Sequence, residues 1–387
     1  MLGRRVLCLL EADPAVARIV AVDLREPEAP GSKVEVCSLD LATAAIGPVV
    51  AGADSVVHLA FTVGQELDDE DTGRANAAAT SRLLRAAGEA GVAHLVVMSS
   101  ATVYGAWPSN PVPITEAAPV RPNPELAYAV QKAEIERLCQ VFAAEHPATT
   151  VTVLRPAVMV GSGEESWLAR SLRATSGLRS GVDAAPLQLV HVDDLAAAID
   201  LVRRVRLDGP CNVAADGWLD APAVRALAGG PPRLPLPAPA ARALASVSWR
   251  LRLGQTPPGL VAYTAAPWAV ANDRITAAGW RPKHSNEEAY VAGTPGTPWS
   301  RLSPKRRQEL ALGVAGIALL AAAGGSAALV RRRLRSLRPR EHSARLGDRG
   351  VHRGAGIRAG RTGTGAERTI GVARARPRST TRPVPRG

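Results

Sequence analysis

The sequence predicts an α/β protein built on a doubly wound, mostly parallel sheet. Short apolar segments alternate with longer amphipathic segments through residues 1–215. Strands that are buried on both faces read as continuous apolar runs, and their alternation with helices is typical of parallel βαβ units. Hydrophobic residues make up 46% of the 387 residues, which is enough for a large core.

The predicted elements follow the hydrophobic pattern in chain order. The chain opens with a helix over residues 2–17, interrupted near Pro14, and a small-residue helix follows Asp40. Apolar runs rich in Val, Ile and Leu predict strands over residues 18–23, 34–37, 55–60, 94–100, 150–155, 187–192 and 211–214. Helical periodicity predicts helices over residues 71–90, 125–145 and 194–204, the last with Asp193 as its N-cap. Residues 217–260, rich in Pro, Ala and Leu, predict helices broken by loops.

The C-terminal quarter differs in composition from the rest of the chain. Residues 293–309 contain Gly, Pro, Ser and Thr and predict a linker. Residues 310–330 carry no charge. About twenty apolar residues suffice for a helix to cross a bilayer, so we expect a transmembrane helix there, with a buried helix as the alternative. The Arg-rich, low-complexity residues 331–387 cannot form a core, and we expect a disordered tail.

The net charge of +12 belongs to this tail. Residues 331–387 contain seventeen Arg and three acidic residues, so residues 1–330 are nearly neutral. This distribution argues against a nucleic-acid-binding face on the folded part of the chain. The four cysteines are far apart and show no metal-binding or CxxC spacing, which predicts buried thiols in a reducing compartment and no metal site.

Three residues in the first half of the chain form a candidate proton-transfer site. Tyr128 and Lys132 are four residues apart on a predicted helix, which places the phenol and the ammonium on one face. A nearby cation favours the phenolate, so we expect Lys132 to lower the pKa of Tyr128 and make it a base. Ser100 ends a predicted strand, where doubly wound folds bind ligands, and is positioned to hold a substrate oxygen beside Tyr128.

Four sequence blocks in this order resemble the extended short-chain dehydrogenases, the NAD-dependent epimerase/dehydratase family. The blocks are Ser99-Ser-Ala-Thr-Val-Tyr-Gly105, Tyr128-Ala-Val-Gln-Lys132, Leu154-Arg-Pro-Ala-Val-Met-Val-Gly161 and Val190-His-Val-Asp-Asp-Leu-Ala196. Residues 272–283 also resemble the family's C-terminal signature, so the resemblance covers residues 1–290. It implies a Rossmann-type NAD-binding domain over residues 1–205 and a small substrate-binding subdomain over residues 206–292, with parts of 157–186. It also implies Ser100, Tyr128 and Lys132 as catalytic residues.

The resemblance implies an NAD site along the carboxyl ends of the strands. Asp23, after a strand, would hold the ribose hydroxyls and repel the 2′-phosphate of NADP, although Arg25 nearby keeps NADP open. Asp40 and Leu41 would lie at the adenine, and Pro156 and Val158 at the nicotinamide amide. The implied cofactor contacts are Gly3, Asp23, Asp40, Leu41, Leu59, Ala60, Asn76, Tyr128, Lys132, Pro156 and Val158.

One departure from the family pattern concerns the start of the chain. Gly3 aligns with the last glycine of the family's glycine-rich turn, whose backbone approaches the pyrophosphate at a helix N-terminus. The strand and the earlier glycines that precede this position in the family have no counterpart here. We therefore expect the native protein to begin upstream of Met1.

The sequence leaves three functions open. The first is epimerisation of a nucleotide-linked or lipid-linked sugar by transient oxidation of a carbinol with NAD. Dehydration is disfavoured, because Ala101 and Thr102 stand where the resembling dehydratases carry Asp-Glu. The apolar residues 217–270 favour a lipid-like substrate, so an NAD-dependent hydroxysteroid or lipid-alcohol dehydrogenase is the second reading. The third is a catalytically impaired, membrane-tethered NAD-binding protein.

The expected partners follow from these readings. We expect a small-molecule substrate, either a sugar nucleotide or a lipid-like alcohol, and no nucleic acid at the folded domain. NAD chemistry places the catalytic domain in the cytoplasm, and residues 310–330 leave anchoring to the inner membrane open. The family resemblance implies a homodimer that pairs through the helices near Asp71 and Glu125, but the sequence does not decide the oligomeric state.

Overall fold

Strands and helices alternate along the chain as the sequence predicts. The computed structural model describes residues 1–24, 31–63, 70–161, 164–176, 185–228, 238–251 and 257–294. The strands are β1 (Ile19–Asp23), β2 (Val34–Ser38), β3 (Ser55–His58), β4 (His94–Met98), β5 (Thr150–Pro156), β6 (Val158–Gly161), β7 (Glu164–Glu165), β8 (Leu189–His191) and β9 (Gly209–Val213). The helices are α1 (Leu2–Ala12), α2 (Gly47–Val50), α3 (Glu70–Glu89), α4 (Ala127–Glu145), α5 (Trp167–Ser176), α6 (Val192–Val205), α7 (Ala221–Ala228), α8 (Ala238–Arg250), α9 (Leu260–Tyr263), α10 (Asp273–Ala277) and α11 (Asn286–Gly293).

The main strands are parallel, which confirms the predicted fold class. A four-stranded sheet has the order β3-β4-β5-β9, and each of its pairs is parallel. β1 pairs in parallel with β2 in a second sheet. Among the described residues, β1 and β3 each have a hydrogen-bonded neighbour on one side and a free edge on the other. A third, smaller sheet has the order β7-β6-β8.

Helices cover both faces of the four-stranded sheet. Leu95 and Val97 of β4 pack on one face with Ile135 of α4, and α3 contributes to the same cluster. Val96 points to the opposite face and packs with Ile199 of α6. Successive strand residues alternate between faces, so a strand with both faces covered is apolar throughout. This arrangement explains why the predicted strands are continuous apolar runs.

A separate core lies around the short 3₁₀ turn that follows β4, at residues 101–104. Val103 and Tyr104 of this turn are buried with Leu126, Leu260 and Trp268. The hydroxyl of Tyr263 donates a hydrogen bond to the Thr102 carbonyl at 2.9 Å. The C-terminal part of the described chain therefore packs against the turn that leaves β4 and fixes its path. The assignment of residues 206–292 to a substrate-binding subdomain stays a prediction.

Two predicted boundaries at helices are wrong. The first helix ends at Ala12 rather than continuing past Pro14. The predicted N-cap Asp193 lies inside the first turn of α6, and His191 is the N-cap, with its ring nitrogen accepting a hydrogen bond from the Asp193 backbone N–H at 3.3 Å. An acidic residue in the first helical turn still interacts favourably with the helix dipole. Asp193 therefore marks the start of α6, but the N-cap lies two residues earlier, at His191.

The predicted membrane helix at 310–330 and the tail at 331–387 lie outside the described residues, as does nearly all of the linker at 293–309. In the part of the chain that the structure describes, none of the helices combines the length and apolar character needed to cross a bilayer. The described residues all belong to one compact unit.

Candidate active site

A cavity of about 1110 Å³ runs along the full length of β1 and β3 and reaches the carboxyl ends of the parallel strands. It is lined by β1, by β3 and the residues after it, by the end of β4 and by the turn after β5. The carboxyl edge of the strands is where open α/β sheets bind ligands. The predicted site residues that line it are Gly3, Asp23, Leu41, Leu59, Ala60, Ser100, Tyr128, Lys132 and Pro156.

Ser100 stands at the end of β4 and begins the 3₁₀ turn. Its hydroxyl accepts hydrogen bonds from the backbone N–H of Thr102 at 3.2 Å and from the Thr102 hydroxyl at 3.0 Å. The Ser100 side chain is also hydrogen-bonded to Tyr128. Two donors from Thr102 leave the Ser100 proton to be donated toward Tyr128. The structure therefore brings Ser100 and Tyr128 together, as the sequence predicts.

Tyr128 lies in the first turn of α4 and is partly exposed to the cavity. Burial raises the pKa of Tyr128 to about 12, and the hydrogen bond from Ser100 lowers it only in part. In the protein alone, burial therefore opposes the lowering of the pKa that Lys132 is expected to cause. Spacing along the helix showed that Lys132 is near, but it did not show that burial of the phenol outweighs the influence of its neighbours.

Lys132 is 4% exposed and lies one helical turn after Tyr128 on α4. Its ammonium donates a hydrogen bond to the Met98 carbonyl at 2.9 Å and lies 3.8 Å from the centre of the Phe61 ring and 6.0 Å from that of Tyr128. Burial lowers the pKa of Lys132 to about 7, and the charge of Glu136 opposes this shift. Lys132 is thus poised between its charged and neutral forms near neutral pH.

Two aromatic residues that the sequence analysis missed flank Tyr128. Phe61 meets its ring edge-on at 5.6 Å between centroids, and Trp167 lies tilted against it at 5.1 Å. Both line the cavity. The indole nitrogen of Trp167 has no hydrogen-bond partner among the described residues. Phe61 follows the motif His58-Leu-Ala, which was the only signal in the sequence that placed it at a strand end.

The end of the cavity nearer β1 fits the adenosine part of a dinucleotide. Asp23 ends β1, where an acid can accept hydrogen bonds from ribose hydroxyls. Gly3 lies in the first turn of α1, and a Cβ added there would meet no atom within 4 Å. The first turn of α1 is therefore open, and a helix N-terminus favours a negatively charged group. These residues are compatible with the adenosine part of NAD.

Three predicted cofactor contacts do not line the cavity. The Asp40 carboxylate accepts hydrogen bonds from the Ala42 backbone N–H at 2.8 Å and the Thr43 hydroxyl at 3.3 Å, so it caps its own turn. Asn76 binds the backbone N–H and carbonyl of Thr62 at 2.9 and 2.8 Å and thus holds the loop after β3. The side chain of Val158 is 1% exposed and packs in the core.

The acidic block after β8 has a structural role. The Asp194 carboxylate is 2% exposed and accepts hydrogen bonds from the backbone N–H groups of Lys283 and His284 at 3.1 and 3.0 Å. His284 also stacks on His191, with 3.9 Å between ring centres. Asp194 therefore ties α6 to the segment before α11. Within the described ranges no cluster of His, Cys and acidic side chains is arranged to hold a metal ion.

The parallel sheet with helices on both faces, together with Ser100, Tyr128 and Lys132 at its carboxyl edge, defines a site of the short-chain dehydrogenase type. The model of the NAD-dependent epimerase/dehydratase family matches residues 1–213, which is more than half of the chain. The chain therefore belongs to the NAD-dependent epimerase/dehydratase family. Membership of an NAD-dependent family confirms the prediction of NAD as the cofactor.

Two sequence relatives of this chain are proteins without an assigned activity. An uncharacterised protein of Mycobacterium tuberculosis strain H37Rv is 27% identical over 247 residues, which cover 62% of this chain and 65% of that protein. The chain thus spans less than two thirds of the length of this relative. An uncharacterised protein of Sinorhizobium fredii is 28% identical over 178 residues, which cover 44% of this chain and 43% of that protein.

Solved structures share the fold. The UDP-glucose 4-epimerase of Thermus thermophilus in complex with NAD is 21% identical, with a TM-score of 0.57 over 76% of this chain and 94% of its own. The protein MoeE5 in complex with UDP-glucuronic acid and NAD is 22% identical, with a TM-score of 0.56 over 78% of this chain and 95% of its own. These likenesses confirm the predicted Rossmann-type fold.

Proposed function

We propose that this protein is an NAD-dependent epimerase that inverts one carbinol centre of a sugar linked to a nucleotide or a lipid. The observation that carries the proposal is the placement of Ser100, Tyr128 and Lys132 on one cavity at the carboxyl ends of the strands. Family membership and the named sugar-nucleotide epimerases among the solved structures support it.

The residues divide the chemistry between them. Ser100 would hold the substrate oxygen next to Tyr128, to which it is already hydrogen-bonded. Tyr128 would take the hydroxyl proton as the carbinol becomes a ketone, and would return it when the carbinol re-forms with the opposite configuration. When bound, NAD supplies a reversible two-electron acceptor. The Lys132 ammonium would favour the phenolate form of Tyr128, and Asp23 would hold the adenosine ribose.

A dehydrogenase that acts on a lipid-like alcohol is the second candidate. The observation that favours it is the aromatic wall at the catalytic end, where Phe61 and Trp167 flank Tyr128. Apolar and aromatic walls suit an apolar ring or isoprenoid chain better than a polar sugar. The same three catalytic residues would serve this reaction, which ends when the ketone is released.

One experiment separates the two candidates. The purified protein is incubated with NAD and either UDP-sugars or sterol and isoprenoid alcohols, while absorbance at the NADH maximum and the product configuration by NMR are followed. An epimerase yields the epimeric sugar without net NADH, and a dehydrogenase yields one NADH per ketone. If neither class of substrate turns over although NAD binds, the protein is the impaired NAD-binding protein of the third reading, and the proposal is wrong.

The expectation that the native protein begins upstream of Met1 also stays a prediction. Mass spectrometry of N-terminal peptides from the native source would test it, and the turnover measurements should use the chain so defined. Membrane anchoring through residues 310–330 and a cytoplasmic location are likewise proposals. Fractionation of the native cells into membrane and soluble parts tests both of them.

A further inference from the structure

Met98 and Ser99, at the end of β4, are hydrogen-bonded to side chains on successive turns of α4. The carbonyl of Met98 accepts a hydrogen bond from the Lys132 ammonium at 2.9 Å. The hydroxyl of Ser99 donates a hydrogen bond to Glu136 Oε1 at 2.5 Å. Lys132 and Glu136 are four residues apart on the helix, so they share the face that meets the strand. Glu136 therefore acts at the same strand end as the catalytic lysine.

The contact made by Ser99 determines where Ser100 points. Successive residues of an extended chain project to opposite sides, and Ser100 has extended backbone angles of φ −161° and ψ 147°. With Ser99 held inward by Glu136, Ser100 is left to face the cavity and the hydroxyl of Tyr128. The Glu136 carboxylate thus fixes the serine that would hold the substrate oxygen without touching the substrate itself.

Glu136 is itself held rigidly. It is 2% exposed and pairs with the 3% exposed Arg155 of β5, whose guanidinium donates to both carboxylate oxygens at 2.6 to 3.1 Å. Arg155 in turn donates a hydrogen bond to the Tyr104 hydroxyl at 2.7 Å. A buried carboxylate with each oxygen paired cannot change its rotamer without losing these bonds. The orientation of Glu136 is therefore set by the core.

The charge of Glu136 also acts on Lys132. Burial lowers the pKa of Lys132, and among the described groups Glu136 is the principal one that raises it again. The other titratable or charged groups packed around the pair are His58 of β3, Tyr128 and Cys139 of α4, Arg155 of β5 and Tyr104 of the 3₁₀ turn. Burial lowers the pKa of His58 to about 4 and raises that of Cys139 to about 12, so both are neutral at pH 7.

We propose that Glu136 is a positioning residue of the active site, which directs Ser100 toward the cavity through Ser99 and acts through its charge on Lys132, one helical turn away. The proposal rests on the proposed function, because it assigns Glu136 to support proton transfer by Tyr128. It does not depend on which substrate the protein uses. The ion pair with Arg155 alone would make Glu136 a purely structural residue, and the test separates these roles.

The test measures the titration of Lys132 directly. The chain contains four lysines, at positions 33, 132, 283 and 305, so NMR of protein labelled at lysine Cε gives a simple spectrum, and the Lys132→Arg variant assigns the relevant signal. In the Glu136→Gln variant we expect the pKa of Lys132 to fall by about one unit, because an opposite charge nearby has been removed. We also expect kcat to fall about tenfold and its alkaline limb to move to lower pH, because the Lys132 ammonium loses its proton at lower pH in the variant. The KM for NAD should stay unchanged.

Two further variants serve as a control and as an alternative if Glu136→Gln does not fold. Glu134→Gln is the matched control on the same helix, since Glu134 pairs with exposed Arg137 and should leave the Lys132 titration and kcat unchanged. If Glu136→Gln alone does not fold, because it leaves Arg155 unpaired, the double variant Glu136→Gln with Arg155→Met removes both charges and should show the same fall in the Lys132 pKa.

Separate outcomes overturn the two parts of the proposal. An unchanged pKa of Lys132 in a folded variant that lacks the Glu136 carboxylate would overturn the electrostatic part. The Ser99→Ala variant should lower kcat several-fold without moving the Lys132 titration, and full activity in that variant would overturn the positioning part. Absence of turnover in the unaltered protein would count against the proposed function, while the Lys132 titration would still decide the role of Glu136.

Discussion

The two ends of the cavity are built in different ways. At the catalytic end, Ser100 and Lys132 are 3% and 4% exposed and are held by hydrogen bonds to Thr102 and Met98. At the adenosine end, β1 and β2 form a sheet of two strands, and the residues of β2 are partly or fully exposed. Asp23, which ends β1, is also exposed.

This difference has a physical consequence. Side chains held from several directions are placed before a ligand arrives, which lowers the cost of reaching the geometry that the reaction needs. Where strand ends have fewer supporting contacts, the side chains of the site are ordered in part only when the ligand binds. We therefore expect substitutions at the catalytic end to change turnover strongly, and substitutions at the adenosine end to change affinity modestly.

The largest effect should follow removal of one hydroxyl group at the catalytic end. Tyr128→Phe keeps the ring contacts with Phe61 and Trp167 but removes the atom that exchanges the proton. We expect kcat to fall about 10³-fold, within the range typical for general acid–base groups. NAD affinity, measured by isothermal titration calorimetry, should stay within about threefold, because cofactor contacts elsewhere in the cavity are intact. Turnover within tenfold of the original would show that Tyr128 is not the base.

The second prediction concerns how burial of Lys132 lowers the free energy of unfolding. The pKa of Lys132 is about 7 in the folded protein, against a usual value of 10.5. Between these values the unfolded chain binds more protons than the folded one, so the free energy of unfolding rises with pH. The Lys132 contribution approaches about 1.4 kcal/mol per pH unit within this window. Lys132→Met should remove this contribution and flatten the dependence.

Urea unfolding at pH 7, 8 and 9 measures that dependence for the protein and the variant. The window stops at pH 9 because burial raises the pKa of the Cys139 and Cys211 thiols to about 12. Above pH 9 the unfolded chain loses these thiol protons first, and stability then falls with pH for both proteins. Equal slopes for the protein and the Lys132→Met variant between pH 7 and 9 would mean that Lys132 is fully charged when folded.

Sequence reasoning brought Ser100, Tyr128 and Lys132 to one site because the signal that connects them is local. The spacing of Tyr128 and Lys132 fixes their shared helix face, and Ser100 follows from the end of an apolar strand. It missed Glu136 even though the same spacing of four residues continues from Lys132 to Glu136. A carboxylate on a helix is usually solvated, and only the packing of β5 against α4 shows that this one is buried against Arg155.

Contacts between distant segments account for the other misses. Trp167 reaches Tyr128 from the start of α5, and no local pattern in the sequence marks that approach. The burial that raises the pKa of Tyr128 has the same origin, since it depends on what the whole fold places around the phenol. At the adenosine end, Asp23 and Asp40 both follow strands in the sequence, and the pattern alone could not tell which of them faces the cavity.

The smallest effects should come from these two acids, and they sharpen the contrast between the ends. Asp23→Ala should weaken NAD binding about tenfold, because it removes an acceptor for the ribose hydroxyls, and should narrow any preference for NAD over NADP. Asp40→Ala should leave NAD affinity unchanged and lower the free energy of unfolding by about 1 kcal/mol, because the hydrogen bonds to Ala42 and Thr43 are lost. Calorimetric titration and urea unfolding measure the two quantities. A loss of NAD affinity in Asp40→Ala as large as that in Asp23→Ala would place the adenine against the turn at Asp40, as the family resemblance implied.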